Sequence, residues 1–221
     1  IVYLVSDVHT GKEYAMKELL HQLISSEEQK SLSNEYLKRA AYKGHSKAML
    51  EYGKLLSENN EDENKIIESM RYLKKASDKG EFEALYLYSL MNDYYQGFDY
   101  NPQQNARYMK IAADNGIVSA MTKYGDKLVN GDGVETDAEE AVRYYKMAIE
   151  KGDSDSMNSY AVLLYNGNLI PANKEESIKY FKMAIEKGNI ESMSNYGVLL
   201  KEGDGLPVNK EEAHKYFKMA A

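Results

Sequence analysis

Cysteine is absent from the 221 residues, which excludes a disulfide framework and any thiolate-bound metal. No Asn-x-Ser/Thr acceptor occurs either. Together the two absences favour a cytoplasmic address, cytoskeletal association included, over a secretory lumen. No run of eighteen apolar residues is present, so no transmembrane helix is expected. Ile1 to Val5 are apolar but too short for a signal peptide, and no basic leader precedes them. Ile1 stands where a start methionine would, so the chain is expected to be part of a longer product. Positive charge is in deficit: 28 basic residues against 35 acids give a net charge of -7. Binding nucleic acid or an anionic membrane needs cations that displace counterions, so neither is an expected partner. A basic or mixed-charge protein suits the acidic surplus better.

What the chain has is self-similarity. Gly44, Gly80, Gly116, Gly152 and Gly188 lie 36 residues apart, and Ala40, Ala76, Ala112, Ala148, Ala184 and Ala220 keep the same interval. Tyr36, Tyr72, Tyr108, Tyr144, Tyr180 and Tyr216 follow it, as do Lys38, Lys74, Lys110, Lys146, Lys182 and Lys218, and then Tyr52, Tyr88, Tyr124, Tyr160 and Tyr196. A strict period without insertions means one structural unit copied head to tail. Apolar residues at 141, 144, 145, 148 and 149 have the three-and-four spacing of an amphipathic helix. Asp137 with Glu140, Asn173 with Glu176 and Asn209 with Glu212 predict capping boxes at its start, and Asn101 before Pro102 another start. The periodic glycine predicts its end. A second helix is expected over about 156–165, with Met157, Tyr160, Ala161 and Leu164 on one face. Asn130-Gly131-Asp132-Gly133 and Glu202-Gly203-Asp204-Gly205 read as polar turns. Helices this short cannot bury their faces alone, so neighbouring units must stack. Ala148, Ala184 and Gly125 allow close approach, and the tyrosines are expected in the core with hydroxyls reaching the surface.

Tyr196-Gly197, Gly203-Asp204-Gly205, Asn209-Lys210-Glu211-Glu212-Ala213 and Tyr216-Phe217-Lys218-Met219-Ala220 together resemble the Sel1-like repeat, a relative of the tetratricopeptide repeat. The resemblance runs from about residue 29 to the end. It implies an all-α, right-handed α-solenoid of about five 36-residue helix-turn-helix repeats, placed at 36–221. It also implies a non-catalytic scaffold or adaptor whose concave side receives peptides or helices of partner proteins, through variable polar positions of the first helix of each unit. The first two full copies replace the Gly-Asp-Gly turn with Glu58-Asn59-Asn60-Glu61-Asp62 and with the stretch from Asp93 to Tyr100, so altered turns are expected there.

Residues 1–35 depart from the repeat and form an atypical segment with two readings. Val2-Tyr3-Leu4-Val5, then Tyr14-Ala15-Met16-Lys17-Glu18-Leu19, resemble strands of a protein-kinase small lobe, which implies an ATP-phosphate role for Lys17 and a partner in Glu35. No glycine-rich loop, His-Arg-Asp or Asp-Phe-Gly motif accompanies them, so no phosphoryl transfer is expected and the chain is read as no enzyme. The alternative function is a regulatory or targeting arm of a kinase whose catalytic domain lies elsewhere. In the second reading, Met16, Leu19, Leu20, Leu23 and Ile24 form the stripe of a degenerate capping repeat. A short extended piece at 2–5 precedes it, and Ser25 or Ser26 caps the next helix.

His9, His21, His45 and His214 are scattered, so no metal site and no cofactor are expected. Glu139 with Glu140, and Glu175 with Glu176, point apart on a helix and serve its dipole rather than acid–base chemistry. The aromatic cluster Tyr94, Tyr95, Phe98 and Tyr100 is the candidate partner-binding site, read either as an interface anchor or as a packed turn. The helix running to Ala221 has no polar cap, which leads to the expectation of a neighbouring subunit in a larger assembly.

Overall fold

The computed structural model describes residues 27–58, 62–95 and 100–221; these hold eleven α-helices and no strand. The expected extended piece at 2–5, the stripe from Met16 to Ile24 and the caps Ser25 and Ser26 lie outside the described residues. Two compact units, 1–98 and 99–221, divide the chain. The first contains α1 (Glu27–Tyr42), α2 (Ser46–Ser57), α3 (Glu63–Ser77) and α4 (Phe82–Tyr95). The second contains α5 (Pro102–Asp114), α6 (Val118–Asn130), α7 (Ala138–Glu150), α8 (Ser154–Asn166), α9 (Lys174–Glu186), α10 (Ile190–Glu202) and α11 (Lys210–Met219). Within each unit, consecutive helices pack against one another in the manner of an α-solenoid.

The helix ends follow from the repeated residues. Each odd-numbered helix that meets a periodic glycine stops in a Schellman motif. In α7, Gly152 N–H donates to Ile149 C=O (2.8 Å) and Asp153 N–H to Ala148 C=O (3.1 Å), and the bonds recur at Gly116 and Gly188. The periodic alanine is therefore both a packing residue, fully buried, and the acceptor that closes the helix. The residue after the glycine also starts the next helix: Asp153 and Asn189 accept from the amides of Ser156 and Ser192 (both 2.7 Å).

The starts of the odd helices differ from the reciprocal capping box. Asp137, Asn173 and Asn209 do accept from the amides of Glu140, Glu176 and Glu212, at 2.8, 3.1 and 3.1 Å. Their own amides donate to Leu128, Leu164 and Leu200 C=O in the preceding even helix, at 3.0, 2.9 and 2.8 Å, instead of to the glutamates. The hairpin brings those terminal carbonyls, otherwise orphaned, within reach of the cap. Glu176 and Glu212 accept instead from the side-chain amides of Asn173 (3.0 Å) and Asn209 (2.9 Å), whereas Glu140 accepts from Lys110 (2.6 Å).

The two helices joined by the polar turn pack more intimately than the two joined by the periodic glycine. The natural unit is thus an even helix followed by an odd one, a different phase from the unit that starts at the capped helix. A Cβ on Gly125 would lie 2.6 Å from the Tyr145 ring; on Gly53, 2.8 Å from Leu73; on Gly197, 2.7 Å from Phe217. In each case a side chain of the odd helix fills the space that the small residue of the even helix leaves open.

Two glycines separate backbone conformation from contact. Gly116 has φ +89 with nothing within 4 Å of an added Cβ, whereas Gly133 has φ +73 and its Cβ would sit 2.1 Å from the carbonyl oxygen of Pro102 at the start of α5. Gly116→Ala should cost about 1–2 kcal/mol, the price of a left-handed L-residue. Gly133→Ala should cost ~1–3 kcal/mol beyond that because backbone must move. Urea denaturation of the two variants checks the order; equal losses would show that the contact at Pro102 is relaxed.

Candidate protein-binding surface

The repeated tyrosines and lysines assemble into one layered motif. Tyr52 meets Tyr72 edge-on at 5.0 Å, Tyr124 meets Tyr144 at 5.0 Å, Tyr160 meets Tyr180 at 4.9 Å, and Tyr196 meets Tyr216 at 5.1 Å. Edge-to-face pairs of this kind contribute roughly 0.5–1.5 kcal/mol beyond burial. The lysine of the preceding odd helix lies over the even-helix ring: Lys110 over Tyr124 (5.0 Å), Lys146 over Tyr160 (5.6 Å), Lys182 over Tyr196 (5.5 Å). Lys110 also donates to Glu140 (2.6 Å) and Tyr144 (3.3 Å), while Tyr144 OH donates to Asp114 (2.6 Å). Burial raises the pKa of Tyr124, Tyr144 and Tyr160, so these phenols stay neutral. Tyr124, Tyr144, Tyr160 and Tyr196 are buried, but Tyr36 is exposed on α1.

A second ladder links even helix to even helix. Thr122 Oγ1 donates to Asp153 (2.9 Å) and shares a hydrogen bond with the Ser156 hydroxyl. One layer on, Asn158 Oδ1 accepts from Ser192 (2.9 Å) and Asn195 (3.1 Å), and its Nδ2 donates to Glu191 (3.2 Å). Asn189 Nδ2 donates to Asp155 (2.8 Å). Sequence reasoning missed this ladder, although Ser156 and Ser192, Asp153 and Asn189, and Asp155 and Glu191 each stand 36 residues apart.

Beside the ladder, a stripe at i, i+4 and i+7 runs along each even helix of the second unit: Ser119, Lys123 and Asp126; Asp155, Ser159 and Val162; Glu191, Asn195 and Val198. These residues are exposed or half-buried. Positions 123, 159 and 195 change chemistry from layer to layer, from lysine to serine to asparagine, while the periodic alanines, lysines and tyrosines recur.

Of the residues singled out in the sequence, Tyr94, Tyr95, Tyr100 and Glu35 fall among the described residues. Tyr94 and Tyr95 are 81% and 44% exposed and touch edge-on at 4.8 Å. Phe98 lies outside the described residues, and Tyr100 is half-buried in the other unit. Lys17 is outside the described residues as well, while Glu35 pairs with Arg39 (2.6 Å) on exposed α1. Among the described residues, no group of three or more His, Asp or Glu is placed to hold a metal, and no helix is long and apolar enough to cross a membrane.

Helix hairpins recurring every 36 residues define an α-solenoid repeat protein. The Sel1 repeat pattern matches residues 24–45, 46–81, 82–117, 118–153, 154–189 and 190–221, and the chain belongs to the Sel1 repeat family. Proteins of this family serve as protein–protein interaction scaffolds. Its frame begins at the first residue of each even helix, in agreement with the packing, and its first match takes in the end of the segment 1–35. A Sel1 repeat protein from Oxalobacter formigenes is similar with a TM-score of 0.78 and 24% identity, over 86% of this chain and 76% of that one. A protective antigen of uropathogenic Escherichia coli, c5321, with an SLR fold, gives 0.71 and 24% over 85% of this chain and 40% of that one. The immunity protein Pa5087 of Pseudomonas aeruginosa gives 0.56 and 16% over 85% and 72%. At these identities the likeness is one of fold. No curated protein matches the sequence.

The Gly-Asp-Gly stretches are turns whose aspartates are held by cations. Buried Lys127 donates to Asp132 (2.7 Å), and Asp204 accepts from both Lys174 and Tyr165. The bond to Asp204, then burial, pushes Tyr165 up to about 12, and Lys174 followed by Tyr165 holds Asp204 below the usual carboxylate range. A depressed carboxyl stabilises the fold above the ordinary value near ~4, and that stabilisation fades as pH falls through the native value. Thermal melts should therefore show wild type more stable than Asp204→Asn at neutral pH, with the gap closing below about pH 4. A gap that holds constant with pH would contradict the pairing.

Proposed function

We propose that this chain is a non-catalytic scaffold or adaptor that works in the cytoplasm within a multi-protein assembly. One observation carries the reading: a constant frame underlies a variable face. Lys110 and Tyr144 are engaged in bonds between helices, and the turn aspartates Asp132 and Asp204 in bonds to Lys127 and Lys174. The stripe on the even helices varies from Lys123 to Ser159 to Asn195, and from Asp126 to Val162 to Val198. Recognition needs that combination, since rigid backbone presents side chains that differ from site to site. Stacked repeats supply it without a catalytic cleft.

A photocross-linking residue placed at 159 or 195, and for comparison at 143 or 179 on odd helices, tests this in cells of the source organism. Discrete adducts with the same proteins from 159 and 195 are expected. If no position yields a defined adduct, the scaffold reading fails. The kinase-arm alternative rests on Lys17 and Glu35; it would gain support only if the chain binds ATP and Lys17→Ala abolishes that binding.

A further inference from the structure

Asp155 and Glu191 occupy equivalent, exposed positions near the starts of α8 and α10. Each accepts one side-chain amide hydrogen bond, Asp155 from Asn189 (2.8 Å) and Glu191 from Asn158 (3.2 Å). Among the described residues neither takes part in an ion pair. The two carboxylates are therefore oriented yet not neutralised. Further along the same face come Ser159 and Asn195, then Val162, half-buried, and Val198, 41% exposed. Asn195 uses its Nδ2 on Asn158 (3.1 Å), and its Oδ1 receives no hydrogen bond among the described residues. The odd helices contrast with this. There Glu140 of α7 is met by Arg143 (3.2 Å) and by Lys110 of α5 (2.6 Å), so that carboxylate has counter-charges within the fold.

We propose that the face made by Asp155, Ser159 and Val162 on α8 and Glu191, Asn195 and Val198 on α10 docks a segment of a partner protein that carries lysine or arginine beside an aliphatic side chain. This rests on the scaffold reading and specifies its partner's chemistry. The cation sits against the carboxylates of Asp155 and Glu191, which the Asn189 and Asn158 amides hold in place. The aliphatic group covers Val162 and Val198, removing apolar surface from water. Asn195 Oδ1 is left to accept a backbone N–H of the segment. A chain carrying net charge -7 also draws a basic segment toward it, faster at low salt.

The whole chain is titrated, by fluorescence anisotropy, against three labelled peptide sets: lysine–valine, glutamate–valine and serine–valine. The lysine–valine set should bind, more weakly at high salt. The double substitution Asp155→Asn with Glu191→Gln should weaken it by about 10-fold or more. Val198→Ser should weaken it independently of salt, and Glu175→Gln with Glu211→Gln should leave it unchanged. Circular dichroism melts confirm folding; should the double variant unfold, the salt dependence and Val198→Ser still decide. Equal binding by the acidic or neutral peptides, unaltered binding by the double variant, or no peptide binding at all would overturn the proposal. Any of these leaves the scaffold reading to its cross-linking test, whose failure is a separate result.

Discussion

In α3, α7 and α11 one large side chain enters the space above a glycine of the even helix before it, and the hairpins close on that contact. Leu73 lies over Gly53, Tyr145 over Gly125 and Phe217 over Gly197, with Ala161 and Phe181 in the same core. Close approach at that point brings the end of the even helix to the start of the odd one. The cap amides of Asp137, Asn173 and Asn209 then find leucine carbonyls they would otherwise miss. It also puts Ser69 and Ser177 within reach of the Gly53 and Ala161 carbonyls, at 2.6 and 2.7 Å, so buried hydroxyls are satisfied where the axes are nearest. Packing and hydrogen bonding are coupled at one site per layer.

Stacking of layers is a separate matter, handled by groups with ionic or polar ends. The lysine–tyrosine–tyrosine motif joins an odd helix to the next hairpin on one side, and the Thr122, Asn158 and Asn189 ladder joins even helices on the other. A buried asparagine with three partners tolerates little slippage, because a shifted layer would leave it unsatisfied. Apolar seams alone would not fix register so firmly. The polar ladders therefore specify which residues of adjacent layers meet.

That division of labour bears on function. The periodic alanines, lysines and tyrosines that build the layers recur, while solvent-facing positions such as 123, 159 and 195 differ from layer to layer. Asp155 and Glu191 carry exposed carboxylates that neighbouring amides orient, the feature on which the proposed docking of a basic segment rests. Because the backbone beneath them is held by neighbouring layers, little ordering is required when a partner arrives. The chemistry of recognition can thus change by single substitutions without disturbing the fold.

The 36-residue period, the helical spacing and the cap residues place nearly every described element, since local sequence fixes where a helix starts and stops. Glycine after the odd helix needs only a left-handed backbone, a property of that residue itself. The core roles of Tyr124, Tyr144 and Tyr160 were legible for the same reason: each falls on the apolar face of its own helix. Less legible was the phase of the unit, because a periodic sequence is equally periodic from any starting point and only packing tells which two helices are intimate. The destination of one capping glutamate was hidden too. Glu140 reaches Lys110 thirty residues away, a partner that exists only once layers stack. The same holds for the surface: Asp155 and Glu191 look like ordinary helix-start acids in the chain, and become one face because the fold lays α8 beside α10. Sequence by itself determined the elements and their repetition, which depend on neighbours a few residues away; tertiary structure decided pairing, register and the shared face, which depend on groups brought together across whole helices.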